Sequence, residues 1–439
     1  MSTPVDSSGA VGVKTQADTG IETNKRWVRL IPIIFFLYTI AYYDRVNVSM
    51  ALPSMAKDFN LSPSQQGFAI GIFFWGYLVT FLATGWLALR VGARRIIFAS
   101  LITWGFFSMA CGLVHSFYQL AFMRFMLGLA EGPLWTAICL MLSQWFLSSE
   151  RGRAFGLWNL SLPIGAVLSG FCSGLLLQYW NWHVMFIVGG LPAWLWAILW
   201  WKMVPKDLDH AYWLPAEERR RLTEGLAAEQ AALVGRELST DWYALLRYPA
   251  VWLFMGAKAA MNMLAYGFGL WLPSVLKSAT TLSISTIGML NSTTYMASCI
   301  GMIWCTYSSD RHKERRYHSA VPLIIGGILL CIGSFQRWSA WQMAIFILVG
   351  LTMYMSLPLT SSYMTEIMPA SVAIPAIALS GGVGNLVAGY GGPQMVGIVK
   401  QVTGSYAMGF CLIGVLGILG GFLILAVRQR RPDATKSHS

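Results

Sequence analysis

An all-α polytopic membrane protein, with twelve transmembrane helices in two six-helix halves, is the fold class this sequence predicts. Three observations predict it. Apolar runs about 20 residues long recur along the whole 439-residue chain, and that is the length a helix needs to cross a hydrocarbon core about 30 Å thick. Only 11% of the residues are charged and 56% are hydrophobic, against about 25% charged in a soluble domain. The runs also fall into two sets of six, equal in extent, with a polar stretch between them.

Taken in order, the first six spans are expected at about 27–52, 64–88, 96–114, 117–146, 154–178 and 183–204. The second six are expected at about 250–276, 284–307, 318–336, 340–366, 371–399 and 404–427. The chain therefore divides into a disordered N-terminus (1–26), an N-terminal half (27–204), a linker (205–249), a C-terminal half (250–427) and a tail (428–439). Two halves of equal length hint at an internal duplication, a common way to build transporters. Residues 1–26 are rich in Ser, Thr and Gly. The run after them is too long for a signal-peptide core and lacks a small-residue cleavage site, so it stays as the first span. In the linker, Leu214-Pro215-Ala216-Glu217-Glu218-Arg219-Arg220-Arg221 places Pro first, acids next and bases last, the pattern of a short surface helix. A solvated connector is favoured over a binding module there. Glycines at four-residue spacing (Gly67 and Gly71, Gly128 and Gly132, Gly170 and Gly174) allow close helix approach.

The net charge of +12 does not mark a nucleic-acid partner. Its basic residues cluster in short loops, and no aromatic-basic interleaving occurs on a soluble-looking segment. With the N-terminus inside, cytoplasmic segments hold 24 of the 31 Lys and Arg residues and external loops hold four: Lys57, Lys277, Arg337 and Lys400. This positive-inside asymmetry places both termini in the cytoplasm. All seven cysteines (Cys111, Cys139, Cys172, Cys299, Cys305, Cys331, Cys411) lie in apolar runs without a CxxC pair, so they read as small buried hydrophobes. The six histidines lack ligand spacing. Neither a metal nor another cofactor is expected.

Ionisable residues inside the spans are the informative ones. Each costs roughly 2.5–3.5 kcal/mol at a helix centre, so a lipid-facing position is disfavoured. There are five: Asp44, Arg45, Arg124, Glu131 and Lys258. Asp44 and Arg45 point about 100° apart on one helix, so each needs another partner. Arg124 and Glu131 are seven residues apart in span 4, nearly two turns, and share a face about 10 Å apart along the axis. A structural salt-bridge network joining spans 1 and 4 is the plain alternative, but two acids and two bases exceed what packing requires. Arginine keeps its proton, so Arg45 and Arg124 are permanent anion sites. Burial disfavours the charged form of a carboxyl and a neighbouring arginine favours it, which poises Asp44 and Glu131 to load and release protons. Lys258, about eight residues into span 7, lies about 12 Å in along the helix. It offers a third cation for a substrate with a second anionic or strongly polar group, unless it is paired structurally.

On these residues the chain resembles the major facilitator superfamily and, more narrowly, its anion:cation symporter family, whose bacterial members import organic anions such as hexuronates, aldarates, tartrate, phthalate and aromatic acids. The likeness covers about residues 27–427. Tyr42-Tyr43-Asp44-Arg45-Val46-Asn47 is similar to the family's Asp-Arg-x-Asn stretch. Arg124 with Gly128-Leu129-Ala130-Glu131-Gly132-Pro133 is similar to its Arg-x-x-x-Gly-x-x-Glu-Gly-Pro stretch. Gly85-Trp86-Leu87-Ala88-Leu89-Arg90-Val91-Gly92-Ala93-Arg94-Arg95 resembles the superfamily signature between spans 2 and 3, with an echo at Ser309-Asp310-Arg311 and Arg315-Arg316. The resemblance implies a proton-coupled importer in a bacterial inner membrane. Arg45 and Arg124 would hold the substrate's carboxylate, and Asp44 and Glu131 would carry the coupling proton. Tyr42, Asn159 and Asn385 align with polar cavity positions, and Ser361 and Ser362 align more loosely. There are departures. Leu89 stands where the signature has an acid that helps latch the cytoplasmic side. Phe81 and Ala83 stand where the family often has Gln and Pro, which weakens a sugar-acid assignment. Trp135 and Trp158 flank the expected site, as packing residues or as a stacking surface.

The leading reading is proton symport of a small organic anion by a monomer that is not an enzyme. A facilitator or exporter of the same fold, for drugs among other solutes, is the alternative, and a pH-gradient dependence of uptake separates the two. A transporter-like sensor would call for a long structured tail, and about a dozen residues follow span 12. No HExxH, GxSxG or Walker-type sequence supports a membrane enzyme. Reporter fusions after Ser439 and within 205–249 are both expected to report cytoplasm; an external signal from either would overturn the topology.

Overall fold

The computed structural model describes residues 25–233, 245–368 and 370–427. The expected disordered N-terminus, except for its last two residues, the tail 428–439 and part of the linker lie outside them. The described chain is helical throughout and contains no strand. The first half comprises α1 (Lys25–Asp58), α2 (Pro63–Val91), α3 (Ala93–Cys111), α4 (Phe117–Glu131), α5 (Pro133–Trp145), α6 (Ser148–Asn159), α7 (Ser161–Tyr179) and α8 (Trp182–Met203). The linker carries α9 (Ala216–Leu233). The second half comprises α10 (Pro249–Met263), a π-helical turn (Leu264–Phe268), α11 (Leu272–Ala279), α12 (Ile284–His312), α13 (Arg316–Ser334), α14 (Ala340–Met353), α15 (Ser356–Ile367), α16 (Ala370–Thr403) and α17 (Ala407–Ala426).

These elements make the twelve expected spans because four spans are each built from two or more consecutive helical pieces. Span 4 is α4 with α5, span 5 is α6 with α7, span 7 is α10 through α11, and span 10 is α14 with α15. Proline explains the breaks in spans 4, 5 and 10, and span 7 is interrupted by the π-helical turn. Pro133, Pro163 and Pro358 lack the N–H that would bond to Leu129, Asn159 and Tyr354 four residues back. Among the described residues, nine helices or helix pairs are long and apolar enough by themselves to cross a membrane. The remaining spans, α3, α12 and α16, have 19, 29 and 34 residues and carry more polar or basic residues. The outward faces are apolar: Leu82, Leu195, Ile303 and Phe422 are 60%, 63%, 54% and 55% exposed. Such a surface fits a multi-pass membrane protein, since a soluble monomer rarely leaves so large an apolar area uncovered.

The linker helix is anchored on the N-terminal half. Arg26, 2% exposed, bonds Glu150 on α6 at 2.6 Å and Glu218 on α9 at 2.9 Å, while Arg151 meets Glu229 at 2.7 Å. The segment expected to be a solvated connector thus docks over the ends of α1 and α6. The helix is also longer than the Leu214–Arg221 pattern alone suggested, running to Leu233.

The two halves meet tightly at the end remote from the linker. A Cβ on Gly67 would lie 2.6 Å from the Pro393 carbonyl, and one on Gly170 would lie 2.8 Å from the Gly288 carbonyl, so α2 touches α16 and α7 touches α12 at backbone distance. Hydrogen bonds reinforce the clasp: Ser292 Oγ donates to the Val167 carbonyl at 2.7 Å, Gln394 Nε2 to Ser64 Oγ at 3.0 Å, and the Ser64 amide to Gln401 at 3.2 Å. The third glycine pair works inside the first half, where a Cβ on Gly132 would lie 2.5 Å from the Tyr77 carbonyl. Overpacking costs about 1–3 kcal/mol, so Gly288→Val is expected to separate α7 from α12. In a cysteine-free background, a cysteine at Asn291 should then label faster with a water-soluble maleimide. Unchanged labelling would show that this contact does not seal the remote end.

Candidate functional site

Between the halves lies a cavity of about 240 Å3. Its wall takes Tyr38 and Arg45 from α1, Trp135 from α5, Lys258 and Asn262 from α10, Tyr266 from the π turn, Tyr354 between α14 and α15, Ser361 from α15 and Asn385 from α16. The broken spans thus bring their irregular midpoints to one place, where freed backbone groups and side chains can line a polar space.

Arg45 is the charged centre. Its Nε donates to Glu131 Oε1 at 3.0 Å, its Nη2 reaches the same oxygen, and its Nη1 lies 3.5 Å from Tyr266 Oη. Both members are buried, Arg45 3% exposed and Glu131 0%. Glu131 Oε2 has no hydrogen-bond partner. The guanidinium also lies 5.0 Å from the Tyr77 ring and 5.3 Å from the Tyr42 ring. Glu131 ends α4, immediately before Gly132 and Pro133, so its position at the break follows from the motif itself.

Asp44 points away from Arg45, as adjacent helical residues must. It accepts hydrogen bonds from Trp104 Nε1 at 2.7 Å, Ser108 Oγ at 2.6 Å and Asn47 Nδ2 at 2.9 Å. Its partners are therefore neutral donors, two of them on α3. Arg124 is buried, with its Nε and Nη1 lacking hydrogen-bond partners. Its guanidinium sits 5.1 Å from the Phe73 ring, the same ring that lies 5.6 Å from Arg45.

Of the sequence-expected residues, the cavity wall gathers Arg45, Lys258, Ser361 and Asn385. Behind it stand Glu131, paired with Arg45, together with Arg124 and Asp44. The expected shared face of Arg124 and Glu131 is thus split: Glu131 engages the span 1 arginine, and Arg124 rests against Phe73. Tyr42 is capped by the Tyr354 hydroxyl across the two halves. Asn159 donates to its own helix at Phe155, 2.8 Å away, and Ser362 to Pro358, 3.2 Å away. Trp158 is fully buried against Trp135 and Tyr38, with ring centroids at 4.5 and 5.1 Å, while Trp135 reaches the cavity.

The structure also assembles residues the sequence reading passed over. Tyr38, Tyr266 and Tyr354 line the cavity, and Asn262 donates to Asn385 at 3.0 Å. Asn262 lies four residues after Lys258, one helical turn along the same face, a spacing that could have found it. Among the described residues, no acid lies within ion-pair distance of Lys258, whereas Arg45 is paired. Nor does any group of three His, Cys, Asp or Glu side chains there have a metal-binding arrangement.

Comparison with known proteins follows the same lines. A profile of the Major Facilitator Superfamily matches residues 34–392. The chain is 30% identical to a candidate metabolite transport protein of Pseudomonas putida, over 96% of this chain and 98% of that one. It is 28% identical to a quinolone resistance transporter of Acinetobacter baumannii (93% and 95%) and 29% identical to a candidate tartrate transporter of Agrobacterium vitis (94% and 92%). In fold it is similar to a bacterial homologue of the human lysosomal transporter Spinster, crystallised inward-facing and occupied, with a TM-score of 0.74 at 15% identity over 92% of this chain and 97% of that one.

Proposed function

The chain belongs to the Major Facilitator Superfamily, and we propose that it imports a small organic anion together with protons by alternating access, across a bacterial inner membrane with both termini in the cytoplasm. The observation that carries this reading is the buried Arg45–Glu131 pair behind the cavity wall. A tartrate-transporting assignment for one relative supports the substrate class, and the basic asymmetry of the loops supports the orientation.

Charge balance supplies the mechanism. Arg45 reaches both the cavity and Glu131. A substrate carboxylate that takes the guanidinium leaves Glu131 without its cation in a dry site, and an uncompensated buried charge costs several kcal/mol. A proton on Glu131 removes that cost. Anion and proton therefore favour each other's binding, and release of one promotes release of the other. Linkage of this kind is reciprocal, so a proton gradient can drive the anion. Asp44, one layer deeper, is a second acid that can take up the proton when the packing around Phe73 rearranges, and Arg124 is a second fixed cation there. Lys258 adds a second cation on the opposite half, so the substrate carries a second anionic or strongly polar group. The protein works as a monomer.

The competing reading is export or facilitated passage without proton coupling, which the likeness to a quinolone resistance transporter favours. Transport in proteoliposomes with an imposed pH gradient decides between them. Glu131→Gln is expected to abolish accumulation against a gradient while retaining exchange of internal for external substrate; accumulation by this variant would remove Glu131 from coupling. Arg45→Lys keeps the charge but loses the planar fork that suits a carboxylate. It is expected to lower affinity about tenfold or more, and near-normal affinity would remove Arg45 from the anion site.

A further inference from the structure

The reading above leaves the body of the anion open. The cavity wall speaks to it. Five of its residues are aromatic: Tyr38, Phe81, Trp135, Tyr266 and Tyr354. Trp135 is held by Trp158 and Tyr38, with ring centroids at 4.5 and 5.7 Å, so its ring is fixed in place by other rings. The wall's neutral polar groups are the three tyrosine hydroxyls, Thr136, Ser361, Asn262 and Asn385, and several are engaged already: Asn262 and Asn385 bond each other at 3.0 Å, and the Tyr354 hydroxyl meets that of Tyr42. A polyhydroxylated acid would have to share the groups that remain, and each hydroxyl left unpaired weakens binding about five- to a hundredfold. Size agrees with a single ring. An apolar cavity of about 150 Å3 takes benzene, and this one measures about 240 Å3, room for a ring and small substituents.

The charges lie on two sides. Arg45 comes from the first half, paired with Glu131, and Lys258 comes from the second. Gly384 makes room for the lysine stem: a Cβ there would lie 3.1 Å from Lys258 Cγ. Among the described residues no acid lines the cavity. Lys258 is thus an ammonium beside a mostly carbon wall with no protein anion to meet it among the described residues.

We propose that the substrate is an aromatic acid with two anionic groups, its ring against Trp135 and Tyr38, one carboxylate on Lys258 and the other on Arg45. This rests on the organic-anion reading above and narrows it. The two halves then share the substrate through opposite ends of one rigid body. Lys258 meets an anion, and Arg45 exchanges Glu131 for one, only when the ring spans the gap between them, so the ligand itself ties the halves together.

The test uses the purified full-length protein in detergent, titrated calorimetrically with four probes: isophthalate, cyclohexane-1,3-dicarboxylate, benzoate and glucarate. They separate charge from ring. Isophthalate is expected to bind about two- to tenfold tighter than the saturated diacid, the range of an aromatic pair beyond its buried area. It should also bind about tenfold or more tighter than benzoate and glucarate. Trp135→Leu is expected to erase the difference between isophthalate and the saturated diacid. Lys258→Met is expected to erase the advantage of isophthalate over benzoate, and Lys258→Arg to keep most of it. Each variant must retain the parent's elution profile, and Lys258→Gln replaces the Met variant if that is not recovered. Tighter binding of glucarate than isophthalate would overturn the inference and leave the organic-anion reading standing. Equal losses of isophthalate and benzoate in Lys258→Met would overturn the role of Lys258. Failure of all four acids to bind the parent protein at millimolar concentration would overturn both.

Discussion

A buried arginine–glutamate pair sets the terms for the rest of this molecule. Placing Arg45 and Glu131 in a membrane interior is costly unless each has the other, and their contact requires α1 and α4 to approach at mid-membrane. Gly128 and Gly132 allow that approach by letting α4 press against α2 at backbone distance, and Pro133 ends α4 just past the glutamate. The small residues and the break that flank Glu131 thus serve the charge, which is why they stand so close together in sequence. A pair so placed is also fragile by design. Among the described residues Arg45 is the one cation of the cavity wall that a protein carboxylate already holds, so an incoming anion would compete with an internal rival, and in the proposed function that competition links anion to proton.

The fold and the charged residues were legible for a simple reason. Hydropathy and basic asymmetry report on the bilayer, and the bilayer constrains every span alike. Arg45, Glu131 and Lys258 stood out because a charge in an apolar run has few explanations. The same rule could not say which charge meets which. Periodicity put Arg124 and Glu131 on one face, but Phe73 from α2 comes up beside Arg124 and the glutamate finds Arg45 instead. That outcome depends on how α2 and α4 pack, which a single helix's period does not contain. Tyr266 was invisible for a related reason: it reaches the cavity from a π-helical turn, where the usual angular spacing fails. The breaks at Pro133, Pro163 and Pro358 were readable in principle. Uninterrupted hydropathy across each of them concealed the change of direction.

The neutral polar residues were the least legible. Asn159 and Ser362 return their side chains to their own helices, an option always open to short polar groups. Asn262 and Asn385 bond each other across two spans. A polar residue in a span has several inexpensive local partners and a charged one has almost none. Inference from sequence is accordingly strong for ions and weak for amides and hydroxyls.

The two ends of the molecule are held by different means, and this asymmetry explains the position of the cavity. At the end remote from the linker the halves meet through glycines, with Ser292, Gln394 and Ser64 adding hydrogen bonds across the seam. Tyr42 and Tyr354 meet across the two halves beside Arg45. At the linker end the ion pairs stay within one half or tie it to the linker: Arg26 with Glu150 and Glu218, and Arg315 with Asp310 and Glu366. Among the described residues no ion pair joins residues 25–204 to residues 249–427. The basic motif after span 2, which has Leu89 in the place of an acid, turns to its own half as well. Arg94 donates to the Trp201 carbonyl at 2.6 Å and lies 4.2 Å from its ring. Without an acid there, the motif's cations have no carboxylate of their own loop to set against the other half. Separating the halves at the linker end therefore breaks no charge pair between them, whereas separating them at the other end must undo close backbone packing and several hydrogen bonds. In the proposed alternating-access cycle, that difference favours a state open toward the linker. Reaching the opposite state needs something that draws the two halves together across the cavity, and a ligand gripped by Arg45 on one side and Lys258 on the other would do so.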